Sequence, residues 1–324
     1  MDNFTHTLTG VMLARAGLNR WERRAAWLLA LASNAPDLDM VSYLGGNLAG
    51  LEAHRAWTHA IAFSPLMAIL PALAVRLFTR GPFHWARAWA VSLIGVLGHL
   101  AFDFTNSYGV RLGLPFTDRW FHLDALWVAD PYILGVLGMA VLAPALGRLV
   151  GSEIGARSKA GPGWAVLALA FICGWIGLRV TMQQRAAALI EARLFQGETP
   201  RRVAAWPTPF SPVVWAGYAE CDSFQALADI NTLGEFDPSA ARIVYRPESS
   251  AALEAARRTP EMARFLRFAR YPLTRVLPLA DDEGARRIEV SDARFERPPG
   301  MRFLLIVDVD GALRIRDAGH KLAR

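Results

Sequence analysis

Four long apolar stretches constrain this chain more than anything else in it. They run from about Ala60 to Thr79, Ala88 to Phe104, Pro131 to Val150 and Gly163 to Met182. Each approaches the roughly 20 residues that a helix needs to cross a bilayer. The last, "WAVLALAFICGWIGL", has no charge. The first holds Pro65 and Pro71, which a packed membrane helix tolerates. Several such windows in one half of a chain predict an integral membrane protein rather than a soluble helical core.

The rest divides around these spans. Before them, "THTLTGVMLARAG" (5–17) predicts a helix C-capped by Gly17. "RWERRAAWLLALASNAPDLDM" predicts a second helix stopping at Asn34-Ala35-Pro36, because a residue before proline disfavours helix. Both are short for a crossing and read as half-depth or re-entrant elements. The fold class expected is therefore an α-helical membrane bundle, about four spans plus two short N-terminal helices, followed by a small soluble α+β domain. The boundary is placed at residue 182, giving domains 1–182 and 183–324. In the second, "PVVWAGYAE", "ARIVYR", "LTRVLPL" and "MRFLLIVDVDGALRIRD" read as strands, the last a hairpin at Asp310-Gly311. "SAALEAARRTPEMARFLRFARY" reads as helix interrupted near Pro260.

The formal net charge of +6 is spread over both halves, so nucleic acid is not an expected partner. Two cysteines, Cys173 and Cys221, make no disulfide framework. The acidic "MDN" start does not resemble a secretory signal. Arg76, Arg80 and Arg87 after the first span, and Arg148, Arg157 and Lys159 after the third, place those connections in the cytoplasm. By alternation the C-terminal domain faces the periplasm; Arg179 and Arg185 argue mildly the other way.

Within "VLGHLAFDFTNSYG", His99 and Asp103 stand four apart on one helix face, inside an apolar span. Ionisable groups in a span face an interior or a cavity and are functional by default. Antiparallel spans put the start of the first and the end of the second at one membrane face. His59 joins His99 and Asp103 there, with His6, Asp37 and Asp39 from the N-terminal elements and Asp130 at the start of the third span. Imidazole and carboxylate together are a ligand set for zinc or a similar divalent ion. If "HRAWTH" is helical, Arg55 shares the face of His59 and His54 lies at the rim.

"MDNFTHTLTG", "NAPDLD", "HRAWTH" and "GHLAFDFTNSYG" resemble the YdjM-like inner-membrane proteins, a family described as metal-dependent hydrolases, and "DPYIL", "RFARYP" and "DARF" fit the same pattern. More distantly, the order His6, Asp37, His59, His99, Asp103 is similar to that of zinc-dependent phospholipase C and the single-strand nucleases. That resemblance implies Asp37, His59, His99 and Asp103 on one metal, with Asp103 bridging to a second that His6 also binds. Here the later histidine motifs of those enzymes are missing, so one or two ions are expected, zinc first and manganese second.

The resulting expectation is a membrane-embedded phosphoesterase acting on a lipid or lipid-linked phosphate. Asp39 and Arg55 are its expected catalytic residues, Arg55 as a phosphate clamp and Asp39 orienting a water or a ligand histidine. His54, Asn106 and Asp130 are expected in supporting or substrate-contacting roles. The expected surroundings are the lipid bilayer of an inner membrane. The alternatives are an ion or metal transporter and a non-catalytic scaffold with a structural metal.

Overall fold

A computed structural model describes residues 1–153, 162–279, 282, 284–296 and 302–323. Arg157 and Lys159, used above to orient the third connection, lie outside the described residues. The chain forms two compact units that interleave in sequence. One comprises Met1–Asp39, Arg55–Gln183 and Pro207–Pro212; the other comprises Met40–His54, Gln184–Trp206 and Val213–Arg324.

The first unit is helical. Helix α1 (Asn3–Leu13) starts at Asp2, whose carboxylate accepts from the Thr5 amide (3.0 Å) and hydroxyl (2.6 Å). The helix predicted to reach Gly17 instead passes at Ala14 into a π turn, Ala14–Leu18. The second predicted helix is also shorter. Glu22 is extended (φ −132°, ψ 114°), so α2 covers only Ala25–Ala32. It ends just ahead of Pro36, as the proline requires.

A ten-residue 3-10 segment (Pro36–Gly45) follows, then α3 (Asn47–Ala53). The first span, Ile61–Phe78, is not one smooth helix. It opens with a 3-10 turn and breaks at Ala68 between α4 (Ser64–Met67) and α5 (Ile69–Phe78). Pro71 has no N–H to give the carbonyl one turn back, which accounts for the break.

Helices α6 (Trp85–Thr105), α7 (Pro131–Glu153) and α8 (Gly163–Glu191) supply the other three candidate spans. In α6, 56% of the span window is buried, against 17% in α7 and 22% in α8, so α6 is the central helix. It packs on α2 through Leu28, Leu29 and Val91, and through Ala32 and Val96. Gly95 permits that approach, since a Cβ there would stand 2.7 Å from Ala32 Cβ. Helices α7 and α8 pack through Leu137, Ala140, Ala168 and Ile172 against Met12 of α1. Arg179 of α8 is buried, donating to the carbonyls of Ala125 (3.2 Å), Ser211 (3.1 Å) and Pro212 (2.7 Å).

The second unit holds two four-stranded sheets. One is ordered β1 (Arg202–Pro207), β2 (Val214–Glu220), β3 (Phe224–Asn231), β4 (Arg242–Tyr245). The other is ordered β5 (Pro272–Pro278), β6 (Arg286–Asp292), β7 (Arg302–Val309), β8 (Ile315–Ala323), with every neighbour antiparallel. The hairpin expected at Asp310-Gly311 joins β7 to β8, and Asp310 Oδ1 accepts from the Ala312 and Arg314 amides. Between the sheets in sequence lie α9 (Ala251–Arg257) and α10 (Pro260–Phe268). Thr259 caps α10 and Pro260 fills its first turn, so the predicted interruption is two separately capped helices. Helix α3 belongs to this unit. Its Glu52 pairs with Arg267 (2.5 Å) and Arg264 (3.7 Å) of α10. Asn47 donates to the His320 carbonyl at 3.3 Å.

Candidate metal centre

Four side chains from three parts of the first unit converge on one point: Asp37, His59, His99 and Asp103. Their facing donor atoms all lie within 4.8 Å of one another. His59 Nε2 is 3.1 Å from His99 Nε2, 3.5 Å from Asp37 Oδ1 and 3.4 Å from Asp103 Oδ2. His99 Nε2 is 3.6 Å from Asp37 Oδ1 and 3.4 Å from Asp103 Oδ2. A tetrahedral ion with bonds of about 2.0–2.1 Å separates its ligand atoms by roughly 3.3 Å. Five edges of such a tetrahedron are therefore present within a few tenths of an ångström.

The hydrogen bonds behind the ligands support the same conclusion. His99 Nδ1 is 2.7 Å from the Ser33 carbonyl, which can only accept, so Nδ1 carries a proton and Nε2 of the neutral ring offers its lone pair inward. His59 Nδ1 faces Asp39 Oδ2 at 3.2 Å, which orients its Nε2 the same way. With both rings neutral, two inward lone pairs 3.1 Å apart repel unless a cation lies between them, a shared proton or a metal ion. Asp103 Oδ2, fully buried, has no hydrogen-bond partner. A buried carboxylate oxygen in that condition is costly unless it is a ligand. These residues fit a divalent metal.

Charge around the cluster favours a cation as well. Burial alone would depress the His59 pKa, but the carboxylates of Asp103, Asp37 and Asp39 around the ring raise it to about 10. Burial pushes Asp37 up, while hydrogen bonding to His59 outweighs it and holds the carboxyl below its ordinary range. Only Asp37 among the four has solvent access, with 13% of its side chain exposed against 0% for the others.

His6 stacks on His99 with ring centroids 3.9 Å apart, and its Nε2 is 3.4 Å from Asp103 Oδ1. Burial, with His99 next, pushes its pKa down to about 3, so it is a neutral donor at ordinary pH. Neither ring nitrogen makes a hydrogen bond. The Met1 α-amine contacts the same Asp103 oxygen.

Arg55 reaches the cluster by a different route from the one its spacing implied. Helix α3 ends at Ala53 and Arg55 has φ 60°, so "HRAWTH" is a reversing turn, closed by the 3-10 turn Trp57–His59, and not a helix. The inference from a shared helical face is thus corrected, although Arg55 and His59 do meet at Asp103. The guanidinium donates to Asp103 Oδ1 (3.1 Å), Asn106 Oδ1 (2.9 Å) and the Gly109 carbonyl (3.3 Å), over the Tyr108 ring. Asp39 Oδ2 accepts from the Arg55 amide (2.9 Å) and the Thr58 hydroxyl (2.7 Å) as well as facing His59.

Asn106 caps the end of α6 and is tied to Arg55 and to the Tyr108 amide. Asp130 makes its contacts elsewhere: its carboxylate accepts from the Tyr132 and Ile133 amides at the start of α7 and from Trp175 Nε1 on α8. His54 falls in the second unit, beside Tyr43. The Ser33 carbonyl was missed from sequence, because a backbone group leaves no side-chain signal.

Fold and site define a multi-pass membrane protein with a buried histidine–aspartate cluster at the ends of two spans. The chain belongs to the YdjM inner membrane protein family, whose model matches residues 1–186 and so covers every ligand candidate. It is similar to YfhP of Bacillus subtilis (strain 168), described as an uncharacterized protein, with 30% identity over 142 residues. That match covers 41% of this chain and 43% of YfhP, so the chain spans less than half of this relative. No solved structure matches.

Proposed function

We propose that this protein is a membrane-embedded, metal-dependent hydrolase acting on a phosphoester of a lipid or lipid-linked substrate. The near-tetrahedral set of Asp37, His59, His99 and Asp103 carries the reading. Zinc suits two imidazoles and two carboxylates at this spacing, with manganese second. A divalent cation held there supplies Lewis acidity and lowers the pKa of a bound water toward about 7.

The chain's own residues prepare the site. Asp39 and the Ser33 carbonyl fix the tautomers of His59 and His99. Arg55, with two donors on Asp103 and Asn106, holds the buried carboxylate in place and offsets its charge. This makes Arg55 a positioning residue first; its Nε, which makes no hydrogen bond, is the part left for a phosphate oxygen. The phosphoester itself rests on the resemblance to zinc-dependent phospholipase C, and the lipid on the position of the ligands at span ends.

One observation favours a second reading. Four protein ligands close a tetrahedron, which is the mark of a structural metal, whereas catalytic sites keep a position open. On the catalytic reading, Asp37, the solvent-touched ligand, is the one that yields its place. Metal content of the detergent-purified protein, beside His99→Ala and Asp103→Ala, tests the site: near-stoichiometric metal lost in both variants is expected. Asp37→Ala then separates the readings. Metal retained on the remaining three ligands, with the phosphorylated head group still released from phospholipid, supports catalysis. Loss of both metal and fold supports a structural ion, and a metal-free wild type after zinc or manganese incubation rejects the site.

A further inference from the structure

The segment Pro36–Gly45 is a 3-10 helix ten residues long, where runs beyond three or four are uncommon. With three residues per turn, every third side chain lies on one edge. Leu38, Val41 and Leu44 form that edge, and they are 60%, 66% and 88% exposed. At about 2.0 Å per residue the edge is roughly 12 Å long. No charge interrupts it; the carboxylates of Asp37 and Asp39 lie on the other two edges.

The depth of the start of this helix, residues 36–39, follows from its contacts within the first unit. Asp37 and Asp39 meet His59, and Asp39 also bonds Thr58. His59 stands two residues before the span Ile61–Phe78, and His99 and Asp103 lie in the last two turns of the span Trp85–Thr105. Span ends mark the boundary between hydrocarbon and head groups. Trp57, half-exposed between these elements, is the residue type enriched at that boundary. Leu38, at the start of the edge, lies in the same unit as Ile61, itself 57% exposed.

We infer that the edge Leu38–Val41–Leu44 inserts among lipid acyl chains at the hydrocarbon boundary, its partner being the bilayer itself. Burial of the apolar edge in lipid offsets the poorer hydrogen-bond geometry of a long 3-10 run. The helix that carries Asp37 and Asp39 is then held at head-group level. This inference does not depend on the metal.

Single cysteines at Leu38, Val41, Leu44 and, as the control on another edge, Ser42 would be placed in the full chain lacking Cys173 and Cys221. Each would carry an environment-sensitive nitrobenzoxadiazole label in phosphatidylcholine vesicles with brominated acyl chains. Severalfold stronger quenching and blue-shifted emission at the three edge positions, relative to Ser42→Cys, is the expected result. Equal, weak quenching at all four would overturn the inference by placing the edge in water. Weak quenching together with disulfide cross-linking between copies through Leu44→Cys would also overturn it, by making the edge a contact with a second copy of the chain.

Discussion

Asp39→Asn offers a quantitative test of how the metal centre is built. Three donors converge on Asp39 Oδ2: the Thr58 hydroxyl at 2.7 Å, the Arg55 amide at 2.9 Å and His59 Nδ1 at 3.2 Å. An asparagine oxygen accepts all three but carries no charge. A hydrogen bond to a charged acceptor is about twice as strong as a neutral one, so each loses roughly 1 kcal/mol. The Thr58 and Arg55 bonds are the same with or without metal, and their loss falls on stability, about 1–2 kcal/mol in all. The His59 bond is different, because it strengthens when the far nitrogen of the ring donates to a cation. Its share therefore falls on affinity, and about 1.4 kcal/mol is tenfold. Outer partners of ligand histidines are worth 10–100-fold in metal affinity, and a loss of roughly 1 kcal/mol puts Asp39 at the lower end. Competition for zinc between the detergent-purified protein and a chromogenic chelator measures it at fixed pH. Wild-type affinity in Asp39→Asn would refute the role assigned to the carboxylate. Complete loss of metal would refute it in the other direction, making Asp39 a ligand.

Three further outcomes are expected elsewhere in the chain. His320 is buried beside Phe265 and Phe303, and burial pushes its pKa down to about 4. Between about pH 6.5 and 4 the unfolded chain binds the proton that the folded chain refuses, so stability falls through that window by up to ~3 kcal/mol. Thermal melts against pH should show this slope in wild type and not in His320→Phe; equal slopes would sink the assignment. Gly10→Ala puts a Cβ 2.8 Å from the Leu29 carbonyl oxygen and from Ser33 Oγ, and should cost about 1–3 kcal/mol by thermal melting. Gly98→Ala, which meets nothing within 4 Å, should be neutral or slightly stabilising. Asp292→Ala takes away the carboxylate paired with Arg294, buried between Phe268 and Phe295, and should cost about 3–5 kcal/mol in urea unfolding. Adding Arg294→Met should recover part of that loss, and no recovery would mean the pair is not the reason.

The spans are legible in the sequence because length and hydropathy are summed properties, insensitive to one residue. The boundaries of the N-terminal elements are not, since the extended Glu22 and the π turn at Ala14 answer to packing rather than to any residue preference. Strand β3, "FQALADIN", was missed because alanine, glutamine and aspartate give it no β signature; it forms because β2 and β4 flank it. Strand β6 does alternate at Ile288 and Val290, but its arginines and acids obscure the period. The ligand candidates were legible by chemistry, since histidine and aspartate at span ends are expensive wherever they point. Their local geometry was not: the left-handed Arg55 turned a presumed helix into a corner.

The interleaving of the two units has a consequence for how such a gene can be cut. Residues 40–54 lie inside the family-matched stretch 1–186, yet the partners of Glu52 and Asn47 are Arg264, Arg267 and His320. A truncation after the last span would keep the insert and delete what it rests on. Because the insert is flanked by Asp39 and Arg55, the loosened ends would be two residues of the candidate metal centre. Residues 40–54 therefore go with the C-terminal domain. A fragment ending near residue 186 would need the insert shortened to a tight turn from Asp39 to Arg55 before it could stand alone.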